Sequence, residues 1–106
     1  MYYVCKNSKR MQRELKVGDK VKIISDRKVR SLMSQKYSLM FGFDNGMFQY
    51  CGKEFVITEK EKSCRYYDDG TIAIKFYLAG IEEYMFSVEM FESSPFESSP
   101  ALLKNE

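Results

Sequence analysis

From Val17 to Ile24 apolar and basic side chains alternate, with Val21 and Ile23 on one side and Lys20 and Lys22 on the other. A period of two is the signature of a strand with one buried face and one wet face. Gly18-Asp19 supplies the turn that delivers the chain into it, and a strand is expected from about residue 20 to 25. The same alternation returns at 53–61, where Phe55 and Ile57 alternate with Glu54, Val56 and Thr58. It returns again at 71–78. There Ile72, Ile74 and Phe76 form an apolar face, and Thr71, Ala73, Lys75 and Tyr77 form the other. Asp68-Asp69-Gly70 and Ala79-Gly80 are turn signals between strands. A short fourth strand is expected at 83–86. Ser87 to Phe91 then reads as a closing turn, with Ser87 as cap and Glu89 in the first turn. This succession predicts an all-β chain built as a small barrel.

Residues 26–46 show no clean period. Arg27-Lys28-Val29-Arg30 is a basic cluster, 31–38 is polar with one Met, and Leu39-Met40-Phe41-Gly42-Phe43 is apolar. A first loop this long in a small domain is expected to be functional or mobile. Asp44-Asn45-Gly46 fits either a hairpin or the cap of one helical turn ended by Gly52. The helical turn is preferred, because Met47 and Tyr50 lie three apart and share a face. Residues 1–15 form a basic extension. Val4, Met11 and Leu15 have helical spacing there, which suits a frayed helix or a mobile segment. Residues 92–106 form a flexible tail that includes most of a short repeat, Phe91-Glu92-Ser93-Ser94-Pro95 and Phe96-Glu97-Ser98-Ser99-Pro100. Such a repeat is a plain tail or a linear motif with Phe as its anchor. The barrel domain is thus expected over 16–91.

Composition narrows the chemistry. At 106 residues, 44% hydrophobic and 15% aromatic, the chain suits one folded domain. It has no histidine, which removes the commonest general base and metal ligand, and with them Ser-His-Asp and Cys-His nucleophile systems. Cys5, Cys51 and Cys64 are odd in number and form no Cys-x-x-Cys pair. Neither a zinc site nor a disulfide framework is expected, and free buried cysteines in a reducing compartment are. No signal-peptide core and no run near the roughly 18 apolar residues of a membrane helix is visible. The expectation is a cytoplasmic chain that does not enter membranes. Residues 1–53 hold twelve Lys and Arg against four acids (+8), and residues 54–106 hold five against eleven (−6). Either this polarity marks an interaction surface or the halves interleave and neutralise each other.

Several landmarks fall in a familiar order: Val17-Gly18-Asp19-Lys20-Val21-Lys22-Ile23, Met47-Phe48-Gln49-Tyr50-Cys51-Gly52-Lys53, Ile57-Thr58-Glu59 and Phe86-Ser87-Val88-Glu89-Met90-Phe91. Over residues 16–91 the chain resembles small SH3-like barrel proteins of bacteriophages and prophages, which are distantly similar to the Mind-bomb domain. Phe86 stands where that family usually carries Trp. The resemblance implies a barrel of four to five strands and a non-catalytic role. It also implies a phage or mobile-element accessory protein in the host cytoplasm that engages, and can inhibit, a host protein such as a defence component.

No catalytic constellation competes with that reading. Gly46 to Glu54 is a near miss to a phosphate-binding loop, with one residue too many between the glycines and Glu54 where a hydroxyl should hold magnesium. Asp68-Asp69 and Glu82-Glu83 sit beside glycines in expected turns, where carboxylates are solvated. No enzyme, cofactor or metal is expected. For a partner protein, or a second copy, the candidate surface is Arg27, Lys28, Arg30, Met40, Phe41 and Phe43, because Met and aromatic side chains adapt to partners. The alternative is a nucleic-acid surface of Lys20, Lys22, Arg27, Lys28 and Arg30, with Tyr37 as a stacking ring.

Overall fold

The computed structural model describes residues 6–34 and 39–92. In chain order it contains α1 (Lys6–Glu14), β1 (Lys20–Lys22), α2 (Asp26–Ser34), a first 3-10 turn (Asn45–Tyr50), β2 (Glu54–Tyr66), β3 (Ile72–Leu78) and a second 3-10 turn (Val88–Met90). The strands form one antiparallel sheet in the order β1-β2-β3. Lys20 pairs with Val56, Val21 with Phe55 and Lys22 with Glu54. The alternation read from the sequence therefore holds across this ladder: Val21, Ile23 and Ile57 are buried, and Lys20, Lys22, Glu54 and Val56 are exposed. β2 bulges twice against β3, between Ile57 and Glu59 and between Lys62 and Tyr66.

A short segment after β3 ties the two sides of this sheet together. Phe86 exchanges both backbone hydrogen bonds with Phe76 on the outer edge of β3, at 2.8 and 2.9 Å. Five residues later Phe91 bridges to Ile23, continuing the outer edge of β1. There Ile24 N–H donates to the Met90 carbonyl at 2.9 Å, and Glu92 N–H donates to the Lys22 carbonyl at 2.8 Å. The side chains carried inward by this segment, Phe86, Val88 and Met90, are fully buried with Ile23, Ile57, Phe76 and Leu78. The expected fourth strand at 83–86 is thus a single bridge at Phe86. A turn precedes it, with Tyr84 N–H on the Ile81 carbonyl at 3.1 Å.

The basic N-terminal stretch is a docked helix. Met11 and Leu15 join the core, as their spacing suggested; Val4 lies outside the described residues. The buried side chain of Gln12 acts as a surrogate strand. Its Nε2 donates to the Ile72 carbonyl at 3.0 Å and its Oε1 accepts from Ile74 N–H at 3.1 Å. An open strand edge has unpaired amides and carbonyls that need such partners. Lys60 Nζ donates to the Leu15 carbonyl at 2.6 Å, just past the end of α1, and Lys9 pairs with Asp69 at 3.0 Å. Hydrogen bonds from Thr71, then Lys9, hold the Asp69 carboxyl down at about 2.

Residues 26–46 are not one irregular loop. Ser25 caps α2, its hydroxyl accepting from Lys28 N–H at 3.1 Å, while Val29 turns fully into the core. Asn45–Tyr50 is the helical turn rather than a hairpin, and Gly52 ends it at φ 78°, a conformation glycine adopts without strain. Between these elements Leu39 is 6%, Met40 1% and Phe43 9% exposed, so the apolar run serves the core.

Glu89 fixes that run in place. Tyr67 Oη donates to Oε1 at 2.6 Å, and Ser87 Oγ and Met40 N–H donate to Oε2 at 2.6 and 2.7 Å. Arg65 closes the group by donating to the Met40 carbonyl at 3.2 Å. Ser87, expected to cap the turn, spends its hydroxyl on Glu89 instead. Glu89→Ala leaves these donors without an acceptor, and each such loss costs about 1–3 kcal/mol. We expect a total near 3 kcal/mol and a melting temperature lower by roughly 12 °C or more, with Glu89→Gln losing less; thermal circular dichroism measures both.

Burial, and then the Glu89 carboxylate beside it, push the Tyr67 phenol far above its ordinary value of 10.0. A folded-state pKa raised above the unfolded one gives stability that is complete below pH 10 and lost as pH climbs past it. The unfolded phenol then ionises while the native one does not, at about 1.4 kcal/mol per pH unit. Tyr67→Phe should therefore flatten the loss of stability between pH 10 and 11, as read by urea unfolding at stepped pH.

Candidate functional site

The sequence-derived surface divides on folding. Arg27, Lys28 and Arg30 are exposed on α2, and Lys20 and Lys22 are exposed on β1. Phe41 is half-buried. Met40 and Phe43 belong to the core, which corrects their placement on a partner surface: the apolar run packs inward instead of facing solvent. Tyr37 lies outside the described residues. Cys64, expected to be buried, is exposed in the second bulge of β2, and Cys51 is half-buried.

In place of the apolar loop, the fold assembles a band of rings that was not singled out from the sequence. The Arg30 guanidinium lies over the Phe48 ring, 4.7 Å from its centroid. It also pairs with Asp26 one turn earlier. Phe48 meets Phe43 edge-on at 5.0 Å. Two residues on, Tyr50 meets Phe55 at 5.6 Å and 84°, and Tyr84 at 6.2 Å and 60°. Phe48, Tyr50, Phe55 and Tyr84 are all half-buried, each packed on the core with part of its ring in solvent. Burial raises the Cys51 thiol pKa, the Asp26 charge adds to that, and the Arg30 charge opposes it. The available sequence signal was the pair Phe48 and Tyr50 on one short turn. Tyr84 arrives from 34 positions away through the chain reversal after β3, and no local pattern announces it.

Charge is distributed unevenly around the band. Lys20 is partnered by Glu54 at 3.8 Å and Lys9 by Asp69 at 3.0 Å, so the basic and acidic halves do interleave at these points. Arg27, Lys28, Lys22 and Lys53 have no ion pair among the described residues. The outward side of α2 is therefore cationic, and Met33 on the same helix is 53% exposed. Among the described residues no group of three or more His, Cys, Asp or Glu is placed to hold a metal ion, and no helix is long and apolar enough to cross a membrane. Comparison with family models, with curated proteins and with solved structures returns no match for this chain.

Gly46 sets the position of the outer ring. A Cβ there would stand 2.3 Å from the Tyr84 hydroxyl oxygen, so any larger residue must displace the ring. Because the obstacle is the tip of a side chain, Gly46→Ala should cost only about 1 kcal/mol while moving the aromatic signals of Tyr84 and Tyr50 in NMR spectra.

Proposed function

We propose that the chain is a non-catalytic binding module which engages a partner protein through the outward face of α2 and the adjoining ring band. The carrying observation is that Arg27 and Lys28, exposed and without an ion pair among the described residues, share α2 with the exposed Met33, while Arg30 of the same helix lies over the half-buried Phe48 ring at 4.7 Å. Arg and aromatic side chains dominate binding energy at protein interfaces, and rings already packed against each other lose little freedom on docking. The backbone pairing runs in the order Phe91, β1, β2, β3, Phe86. That order supports a five-segment SH3-like barrel, with α2 inserted in its first connection. The resemblance to phage proteins extends the reading to a host protein as partner, bound and blocked in the host cytoplasm.

Nucleic acid is the weaker reading on two grounds. Lys20 and Arg30, two of the five basic residues expected for a phosphate chain, are already paired with acids, which leaves Lys22, Arg27 and Lys28 for it. The rings also meet edge-on, so they do not present a row of open faces for bases.

The test is capture from bacterial lysate by the full chain, beside the double variant Arg27→Glu, Lys28→Glu. Both side chains are exposed, so melting should stay within about 0.5 kcal/mol. A protein held by the natural chain and released by the variant supports the proposal. Equal capture by both overturns it, as does micromolar oligonucleotide binding with a steep salt dependence and no captured protein.

A further inference from the structure

The far end of the ring band specifies what the partner brings to it, an inference that rests on the protein-binding reading above. We infer that the corner formed by Tyr50, Phe55 and Tyr84 receives a lysine or arginine side chain from a basic segment of the partner protein. Its apolar stem lies along the rings and its charged head meets their faces, with Glu82, Glu83 and Asp44 supplying the countercharge.

Three observations lead there. First, the rings form a corner and not a flat patch. Phe55 stands opposite Val21, on the inward side of the ladder. Tyr50 meets Phe55 at 5.6 Å and 84°, and Tyr84 meets Tyr50 at 6.2 Å and 60°. All three are half-buried. Planes set at such angles turn π faces toward a shared space, where a cation is attracted and its methylene stem packs. Second, the fold covers a ring at the other end of the band with a cation of its own. Arg30 lies over Phe48 at 4.7 Å, with Asp26 as its carboxylate. No Lys or Arg among the described residues lies over Tyr50, Phe55 or Tyr84. Third, free carboxylates gather on the Tyr84 side. Glu82 and Glu83 immediately precede Tyr84 in the turn closed by its amide on the Ile81 carbonyl. Asp44 leads into Gly46, against which the Tyr84 hydroxyl rests. All three acids are exposed and have no ion pair among the described residues. Against them, Lys53 is the unpaired base nearest to Phe55 in sequence. Lys20 and Lys22 leave β1 on the face opposite to Phe55, and Lys20 is held by Glu54. A basic side chain therefore gains ring faces and uncompensated carboxylates together, while an acidic one meets like charge.

A random-peptide display selection against the immobilised full chain tests this. Enriched peptides should carry Lys or Arg. A selected peptide, made synthetically, should bind the double variant Glu82→Gln, Glu83→Gln about threefold or more weakly and with a shallower salt dependence. Both positions are exposed in a turn, so the variant should melt with the natural chain. Tyr84→Leu keeps apolar bulk but has no π face, and it should weaken binding about fivefold or more. Tyr84→Phe should retain most of the affinity, which separates loss of the ring from loss of the hydroxyl. Norleucine in place of the seated basic residue should weaken binding to the natural chain but change little in Tyr84→Leu. Arg27→Glu, Lys28→Glu should hold the peptide as well or better. Enrichment of acidic or uncharged peptides, no enrichment at all, indifference to the Glu82, Glu83 and Tyr84 variants, or loss of the peptide in the α2 variant overturns the inference. If the α2 variant still releases the lysate partner in that event, the docking face stands and only the occupant of the ring corner falls. If capture is also indifferent, both fall.

Discussion

The carboxylate of Glu89 accepts from Tyr67 at the end of the β2–β3 hairpin, from Ser87 in its own turn, and from the amide of Met40 in the connection after α2. Three parts of the chain that are remote in sequence converge on one side chain. Burying most of a carboxylate is tolerable only when strong donors replace its water, so the three contacts support one another. The segment that carries Glu89 is also the one whose backbone pairs with β3 at Phe86 and with β1 at Phe91. Its register therefore sets both edges of the sheet. Through Met40 the same side chain decides where the excursion bearing α2 comes to rest.

The remaining edge of the sheet is defended by charge. Beyond Ile57 no strand pairs with the outer side of β2 among the described residues, and the chain there reads Glu59-Lys60-Glu61-Lys62. Two copies joined antiparallel about an axis normal to the sheet would place residues of equal parity opposite each other. Registers centred on Lys60 or Glu61 then set Glu59 against Glu61, or Lys60 against Lys62. Like charges directly opposite are unfavourable. The edge near these registers thus resists self-pairing, while Gln12, Phe86 and Phe91 occupy the other edges.

What the sequence disclosed follows the range of the forces involved. The alternation at β1 and at the start of β2 is imposed by neighbouring residues pointing to opposite faces, and it was readable. The alternation predicts β2 only to Glu61, whereas the strand runs to Tyr66; within it Lys60 lies 5.8 Å from the Phe76 ring centroid and reaches the Leu15 carbonyl. In α2 the local signal is present, with Ser25 as cap and Val29, Leu32 and Met33 at helical spacing, but it is broken by the basic cluster of 27–30. The apolar run from Leu39 to Phe43 suggested a surface because nothing near it in sequence supplies the partners that bury it. Gln12 on β3 and Glu89 on Met40 span 60 or more and 49 positions respectively, and contacts of that range leave no periodic trace.

The polar groups of the fold divide between a committed cluster and an open face. The ionisable and hydroxyl groups that come closest together, Glu89, Tyr67 and Ser87, are committed to one another and to backbone, and the Tyr67 phenol is driven away from ionisation by its surroundings. A proton-transfer site needs groups whose charge state can change near working pH, and the Tyr67 phenol stays protonated there. The outward face of α2 has the opposite character. Its cations are free, its neighbouring rings are half in solvent, and it sits on an excursion braced by Val29 in the core and Met40 on Glu89. A face held rigidly from behind loses little freedom when it is covered, so the clamp that stabilises the core also braces the face proposed for docking.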